Sequence, residues 1–367
     1  MHTRRYFLQS SAAVLGGAMP GVSIAGPGIS ARSAGFRMPE EGERHLRTFM
    51  QWPVNKKVHR DRVFLELLQG AIAKVANAIS EFEPVVMLMA REHEPGARKV
   101  LSKKVEIWDI ATDDLWCRDS GPAFVVDGKG GLAVTQFNFN GWGNKQTHAH
   151  DGQIARRVAE RLGLQIFDNG LVGEAGGVEQ DGAGTLIAHE SSWVNANRNT
   201  LDRAGVEALL CEALGAKSVI WAPGIKGADI TDYHIDALAR FVKPGVVVIQ
   251  MPKAVVPDDP WSRAAFETHA ILAAARDARG QPLELVRLPE PQKPRVKAAD
   301  FVASYVNYYV CNGAVISAQF GDALADAEAA STLKRLYPGR EIVTLNVDPI
   351  GECGGGIHCA THEQPAV

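Results

Sequence analysis

The sequence has no long apolar run after residue 35, so nothing beyond that point is apolar for long enough to span a bilayer. It also lacks an excess of either charge, because 39 Lys and Arg residues stand against 42 Asp and Glu residues, a formal net charge of −3. This balance indicates neither a nucleic-acid-binding surface nor an acidic solvating tail. No Pro- or Ser-rich linker and no clear repeat divides the chain, which predicts one large α/β domain.

Cysteine is scarce, with five residues in 367 and no Cys-x-x-Cys, which is too few for a disulfide scaffold in a chain of this length. We interpret Cys117, Cys211 and Cys311 as buried structural residues. His358 and His362 have the spacing of two metal ligands on one helix face. The three glycines before them oppose a regular helix, so we do not expect a metal site there.

The N-terminus is set apart by paired arginines, Arg4 and Arg5, followed by a mildly apolar run over residues 11–18. Small residues at Ser23 and Ala25 then suit a signal peptidase. This pattern predicts a twin-arginine export signal. We therefore assign residues 1–35 to the signal and linker, and residues 36–367 to a single domain. The twin-arginine export machinery is then a partner, and the mature protein is expected in the periplasm or outside the cell.

Helices with apolar residues at helical spacing alternate with short apolar strands along the rest of the chain. The predicted helices are residues 61–82, 153–162, 206–214, 261–278 and 325–336. The predicted strands are residues 85–90, 105–110, 218–221, 283–288 and 341–347. Residues 240–251 are rich in strand, and a hairpin over 305–320 is predicted to turn at Asn312-Gly313. Such alternation is typical of a doubly wound sheet, yet the glycine fingerprint of a dinucleotide site is missing from the strand-to-helix turns.

Cys359 follows the glycine run Gly354-Gly355-Gly356 near the end of the chain. A cysteine acts as a nucleophile when it ionises, and a glycine-rich approach removes side chains that would block a substrate. Burial of a merely structural thiol is the alternative interpretation, and the residues alone leave both open.

Three further segments carry groups suited to proton transfer or to cation binding. In an extended strand His234 and Asp236 would project from one face, although His-x-Asp is common in solvated loops. Asp119 lies just before the Gly121-Pro122 turn, where an Arg–Asp surface pair is an equal alternative. Glu174 lies two residues before a glycine pair and, taken alone, is more readily interpreted as an ordinary solvated acid than as a binding carboxylate.

A thiol, a proton carrier and several acids together suit a guanidinium substrate. A guanidinium stays protonated at any working pH, and carboxylates match its planar fork of donors. Its carbon is a poor electrophile, so its cleavage needs a strong nucleophile and stabilisation of charge.

These segments, in this order, resemble the agmatine deiminase and bacterial-type (Porphyromonas-type) peptidylarginine deiminase family. The resemblance runs from about residue 38 to residue 365. Its motifs are residues 38–40, 48–53, 116–122, 139–143, 174–185, 197–199, 234–236, 304–307, 319–322 and 354–365. The family implies a pentein fold, an α/β propeller of strand-strand-helix-strand units around a central active site.

The resemblance also implies roles for individual residues. Cys359 would be the nucleophile and His234 the general acid and base, while Asp119 and Asp236 would hold the guanidinium. The implied reaction is deimination through a Cys thiouronium intermediate.

Glu174 would be a further acid in the substrate pocket, and Trp116 would form its wall. The resemblance implies neither a metal nor an organic cofactor. Ala175 interrupts the usual Glu-Gly-Gly form, and Tyr233 stands where a glycine often precedes the histidine.

The substrate is expected to be a small guanidino compound. Agmatine, giving N-carbamoylputrescine and ammonia, is favoured, because no arginine that could bind a carboxylate follows Asp119 before Arg156. Peptidyl or free arginine, giving citrulline, is the alternative substrate, and a non-catalytic guanidinium-binding protein is the alternative of another class. The sequence leaves the oligomeric state open, a homo-oligomer included.

Overall fold

The structure is a computed structural model that describes residues 23–26 and 29–367. Arg4 and Arg5 of the expected export motif lie outside these residues. Ile24 forms a β-bridge with Ile166, and Ala31 is buried. No helix in the described part of the chain is long and apolar enough to cross a membrane. The domain boundary at residue 36 stays a prediction.

Sixteen short strands lie within the described ranges. They are β1 His45–Gln51, β2 Val85–Met89, β3 Val105–Asp109, β4 Ala123–Val126, β5 Leu132–Thr135, β6 Gln165–Phe167, β7 Val178–Gln180, β8 Thr185–His189, β9 Ser218–Ala222, β10 Ala239–Lys243, β11 Val246–Met251, β12 Glu284–Pro289, β13 Tyr309–Cys311, β14 Ala314–Ala318, β15 Glu341–Leu345 and β16 Thr361–Pro365.

The same part of the chain forms five α-helices of nine residues or more and five shorter ones. In chain order they are α1 Arg62–Ile79, α2 Glu94–Ala97, α3 Cys117–Ser120, α4 Gly141–Asn144, α5 Ile154–Leu162, α6 Glu190–Trp193, α7 Arg203–Leu214, α8 Pro260–Ala274, α9 Ala323–Leu336 and α10 Asp348–Glu352.

The strands form five small sheets that share one plan. In four of them an antiparallel pair is followed by a helix and a third strand that pairs in parallel: β4-β5-β6, β7-β8-β9, β10-β11-β12 and β13-β14-β15. The predicted strand-strand-helix-strand unit is thus confirmed, and the doubly wound sheet, typical of such alternation, is not the fold of this chain.

The fifth sheet joins the two ends of the described chain. Its order is β16-β1-β2-β3, with β16 antiparallel to β1 and β2 parallel to β1. The segment that carries Cys359 lies between α10 and β16 and is therefore held by this closing sheet.

Local chemistry explains where these elements begin and turn. Asp61 caps α1, since its side chain accepts hydrogen bonds from the backbone N–H groups of Val63 and Phe64. The predicted turn between β13 and β14 is confirmed, and Gly313 has the positive φ of 82° that such a turn needs.

Two expectations about local structure are wrong. The helix expected over residues 261–278 ends at Ala274, because Ala275 is extended and Arg276 bridges Pro282. His234 and Asp236 do not lie on a strand, since residues Ile235–Ala237 form a single 3₁₀ turn. The backbone enters that turn through two residues of positive φ, Asp232 at 61° and Tyr233 at 69°, which a strand cannot contain.

Candidate active site

One cavity of about 970 Å³ collects the predicted site residues. Five of the six line it, namely Trp116, Asp119, His234, Asp236 and Cys359. Glu174 is buried behind this lining, in contact with His234. Residues from distant parts of the chain therefore meet at a single place.

The glycine run lets the backbone pass very close to its neighbours before Cys359. A Cβ on Gly355 would lie 2.3 Å from the Trp116 ring, and one on Gly356 would lie 2.4 Å from Oδ1 of Asn307. Both distances are too short for any real side chain. The glycines thus bring Cys359 against Trp116 and Asn307 as no other residue could.

Asn307 fixes Cys359 from two directions. Its Nδ2 donates to Sγ of Cys359 at 3.2 Å, and its Oδ1 accepts from the Cys359 backbone N–H at 3.2 Å. Sequence reasoning placed Asn307 in a family motif without giving it a role.

Asp236 lies next to the thiol and is itself held by His358. Its Oδ2 is 3.5 Å from Sγ of Cys359 and accepts from Nδ1 of His358 at 2.8 Å. The other ring nitrogen of His358 is 2.8 Å from Oε2 of Glu41, so the histidine bridges two carboxylates. Sequence reasoning considered His358 only as a metal ligand paired with His362, whose Nδ1 instead contacts the Cys117 carbonyl oxygen.

His234 is held between two carboxylates. Its Nε2 is 3.1 Å from Oε2 of Glu174, and its Nδ1 is 3.6 Å from Oδ1 of Asp119. Nε of Arg198 donates to both oxygens of Glu174 at 2.9 and 3.0 Å, so that acid orients the histidine. Nε1 of Trp142 donates to Oδ2 of Asp119 at 2.9 Å.

Gly176 shows how closely three of these groups surround one point. A Cβ there would lie 2.7 Å from Oδ1 of Asp119, 2.9 Å from Nδ1 of His234 and 3.2 Å from Oδ2 of Asp236. The glycine pair after Glu174 therefore leaves room for the acid and base groups. Ala175 precedes that pair and is buried in a hydrophobic cluster, so it does not occupy this space.

The electrostatics of the site follow from burial and an excess of acids. Burial, with Glu174 and Asp236 nearby, raises the pKa of Asp119 to about 6. Burial lowers the pKa of His234, but Asp119 and Glu174 outweigh it and raise that pKa to about 9. Burial, Asp236 and Asp119 raise the pKa of Cys359 well above its ordinary value. The site thus holds a protonated histidine beside a neutral thiol.

A buried ionic cluster lies behind the residues that line the cavity. Oε2 of Glu41 is 2.9 Å from Nη2 of Arg118 and 2.9 Å from Nη2 of Arg240, in addition to its contact with His358. Nε of Arg240 donates to Glu179 at 3.0 Å, and Nη1 of Arg118 is 2.9 Å from Glu363. We define the cluster as these six residues, a set that sequence reasoning missed.

The remaining cysteines divide as expected. Cys117, Cys211 and Cys311 are buried, and burial raises the pKa of each thiol. Cys353 is partly exposed and lines the cavity.

Comparison with known proteins identifies the class to which this fold and site belong. The sequence pattern of the Porphyromonas-type peptidyl-arginine deiminase family matches residues 37–365. The chain therefore belongs to that family, and it is an enzyme, a hydrolase of C–N bonds in linear amidines. This confirms the resemblance.

Two individual relatives that are similar to this chain are named as agmatine deiminases, one of them as putative. The chain is 38% identical to a putative agmatine deiminase of Streptomyces coelicolor, over 90% of this chain and 99% of the relative. It is 35% identical to an agmatine deiminase of Stutzerimonas stutzeri, over 91% of this chain and 97% of the relative.

The same likeness extends to a solved structure. The agmatine deiminase of Enterococcus faecalis superposes with a TM-score of 0.85 at 26% identity, over 94% of this chain and all of that one.

Proposed function

We propose that this enzyme hydrolyses agmatine to N-carbamoylputrescine and ammonia through a covalent intermediate on Cys359. The observation that carries the proposal is the meeting of Cys359, Asp236, Asp119 and His234 in one cavity. Relatives at 38% and 35% identity that are named agmatine deiminases support the choice of substrate.

The acids explain how the thiol becomes reactive. Without a substrate, two carboxylates oppose the formation of a thiolate on Cys359. A guanidinium between Asp119 and Asp236 would neutralise that field, so binding favours loss of the thiol proton. The cation to be cleaved thus helps to create its own nucleophile.

In the first half-reaction the Cys359 thiolate adds to the guanidinium carbon. His234, which is protonated below a pKa of about 9, gives its proton to the departing nitrogen. The C–N bond breaks, ammonia leaves, and a cationic S-alkylthiouronium remains on Cys359.

In the second half-reaction neutral His234 takes a proton from water. The resulting hydroxide adds to the same carbon, and the C–S bond breaks. The ureido product forms after loss of one proton, and the Cys359 thiolate returns. Glu174 holds the His234 ring in position throughout.

The cavity charge supports agmatine over arginine. Nine acidic side chains of the described residues line it against a single arginine, Arg60, and no lysine. Arg156 and Arg157 lie on α5 and are absent from the lining. A substrate carboxylate would meet negative charge here, whereas the ammonium of agmatine would be attracted.

A substrate panel tests this proposal. The mature protein is incubated with agmatine, free arginine and a peptide that ends in arginine, and ammonia and ureido product are measured. We expect equal amounts of both products from agmatine. Turnover of the peptide without turnover of agmatine would reverse the choice of substrate, and guanidine binding without any product would indicate a binding protein.

We further propose that the five strand-strand-helix-strand units surround the cavity as a pentein propeller, and that the protein is exported. Four units recur with one strand order, and the fifth sheet, β16-β1-β2-β3, joins the two ends of the described chain, which supports the ring. Paired Arg4 and Arg5 support export by the twin-arginine route. A precursor with Arg4→Lys and Arg5→Lys should remain in the cytoplasm, and its arrival in the periplasm would contradict the proposal.

A further inference from the structure

Tyr233 is an unusual residue for its place in the backbone. Its φ is +69°, a left-handed value that glycine adopts freely and an aromatic residue adopts at a cost of about 1–3 kcal/mol. Asp232 before it also has positive φ, and Lys145 and Arg198 hold the Asp232 side chain at 2.8 Å each. The surrounding contacts therefore hold a strained turn in place, with a tyrosine at a position whose backbone angles favour glycine.

The Tyr233 side chain faces the cavity with an unused polar group. The residue is 7% exposed and lines the cavity, and its hydroxyl has no hydrogen-bond partner among the described residues. The hydroxyl oxygen is not among the fully buried side-chain atoms that have no partner, so it opens onto the cavity. Such a group indicates space for a ligand that can complete its hydrogen bonding.

Trp261 adds a second aromatic surface beside Tyr233. The two rings meet edge to face, with centroids 4.7 Å apart. Trp261 also lines the cavity and remains 37% exposed, which is high for the largest apolar side chain. Aromatic faces of this kind attract ammonium groups.

Acids surround this aromatic pair. Asp229, Asp259 and Glu290 line the same cavity, and none forms an ion pair within the described ranges. Burial, and then the charges of Asp229, Glu290 and Asp259, raise the pKa of Tyr233. Burial and then the charge of Asp259 raise the pKa of Glu290.

Two of the acids have structural duties, and Glu290 does not. Asp259 caps α8 by accepting from the backbone N–H groups of Trp261 and Ser262. Asp229 accepts from the backbone N–H of Tyr233 at 3.0 Å. The Glu290 carboxylate forms no hydrogen bond or ion pair with any described residue, and it is therefore free for a ligand.

We infer that Tyr233, Trp261 and Glu290 form a second cation-binding subsite, and that a guanidino polyamine, an alkylguanidinium that carries more than one ammonium group, is a better substrate of this site than agmatine. The inference rests on the proposed function, because it extends the same cavity beyond the reacting guanidinium. Asp119 and Asp236 balance the guanidinium, and the remaining acids exceed the one ammonium of agmatine. The cavity volume is also near the upper end of the about 300–1,000 Å³ that drug-sized ligands occupy.

The inference is tested with four guanidino substrates that differ at the far end. Butylguanidine and agmatine form a short pair without and with one ammonium group. Octylguanidine and N-aminopropylagmatine form a longer pair without an ammonium group and with two ammonium groups. We expect kcat/KM for N-aminopropylagmatine to exceed that for agmatine, and to exceed that for octylguanidine about tenfold or more, mainly through KM.

Substitutions test whether the preference for N-aminopropylagmatine arises from the proposed subsite. Glu290→Gln and Trp261→Ala should each reduce the ratio of kcat/KM for N-aminopropylagmatine to that for octylguanidine by about fivefold. Glu341→Gln, an exposed acid on β15 outside the cavity, is the matched control and should leave the ratio unchanged.

A binding measurement keeps the inference testable if a variant folds poorly. In the otherwise unchanged Cys359→Ser protein, spermidine should alter tryptophan fluorescence, and Trp261→Phe should remove the change.

Equal kcat/KM for the two longer substrates in the unsubstituted enzyme, or no fluorescence response to spermidine, would overturn the inference. Failure to turn over any of the four substrates would instead overturn the proposed function.

Discussion

The cavity and the buried ionic cluster beneath it contain the same kinds of residue in opposite balance. In the cluster, Glu41, Glu179 and Glu363 each lie within 3.0 Å of a guanidinium nitrogen of Arg118 or Arg240, and His358 contacts Glu41 at 2.8 Å. In the cavity, nine acids face one arginine. Paired charges stabilise the fold in the cluster. The cavity has an excess of acids, some of which also cap helices or turns, and this excess favours a cationic ligand.

The largest effect on turnover should come from substitution of Cys359. Cys359→Ala removes the proposed nucleophile, so turnover of agmatine should fall by at least about 10⁴-fold. Cys353→Ser is the matched control, because Cys353 lines the same cavity, and it should change the rate by less than about threefold. Initial rates of ammonia release distinguish the two. Similar losses in both variants would contradict the assignment.

Neutralising one acid in each region should have opposite effects on stability. Glu41→Gln leaves Arg118, Arg240 and His358 short of a counter-charge and should lower the free energy of unfolding by about 3–5 kcal/mol. Asp119→Asn removes a carboxylate whose pKa is raised to about 6, and it should stabilise the protein by about 1 kcal/mol while abolishing most activity.

Urea unfolding of these two variants beside the unsubstituted protein checks both values. Equal destabilisation by the two substitutions would contradict the distinction between structural and binding acids.

The protonation of His234 should make stability depend on pH. Its folded pKa of about 9 lies above the unfolded value of about 6.5, so the folded state holds an extra proton between these values. This contribution is complete below pH 6.5 and is lost as the pH rises through 9, a total on the order of 3 kcal/mol. His234→Asn should remove that decline in urea unfolding measured from pH 6 to 8, below the range in which the buried thiols titrate in the unfolded chain. A variant that keeps the full decline would show that another group is responsible.

The smallest effect should come from His358, which connects the two regions. Burial raises the pKa of Asp236, but the contact with His358 and the nearby His234 and Arg240 together outweigh burial and lower that pKa. His358→Gln weakens this contact, so the acid limb of kcat/KM should move to higher pH, with a loss of about tenfold at neutral pH.

His362→Gln is the control, because His362 is also buried but contacts the Cys117 carbonyl oxygen. If the pH dependence of kcat/KM is unchanged in both variants, His358 does not position Asp236.

Local elements were accessible to sequence reasoning because local chemistry sets them. The Asn312-Gly313 turn, the cap at Asp61 and the apolar face of α1 each depend on residues a few positions apart. The strand expected around His234 was wrong because Asp232 and Tyr233 adopt left-handed backbone angles, which ordinary side chains rarely do. Only the unusual tyrosine in place of glycine marked that turn.

The site was predictable by resemblance and hardly at all by spacing. Cys359 and its glycines formed a visible pattern, whereas the contact of Glu41 with His358 spans 317 positions along the chain. The periodicity of a sequence does not predict a contact between residues so far apart along the chain. The only sequence signal for the contact of Asn307 with Cys359 was the presence of an amide side chain in the motif over residues 304–307.

The most direct test of the central claim is the mass of the enzyme during turnover. The protein is mixed with agmatine, quenched in acid within the first turnovers and measured by intact-protein mass spectrometry with peptide mapping. The account predicts an adduct of agmatine minus ammonia on the peptide that carries Cys359, present in Cys353→Ser and absent in Cys359→Ala. Full turnover by Cys359→Ala, or an adduct that maps to another residue, would contradict it.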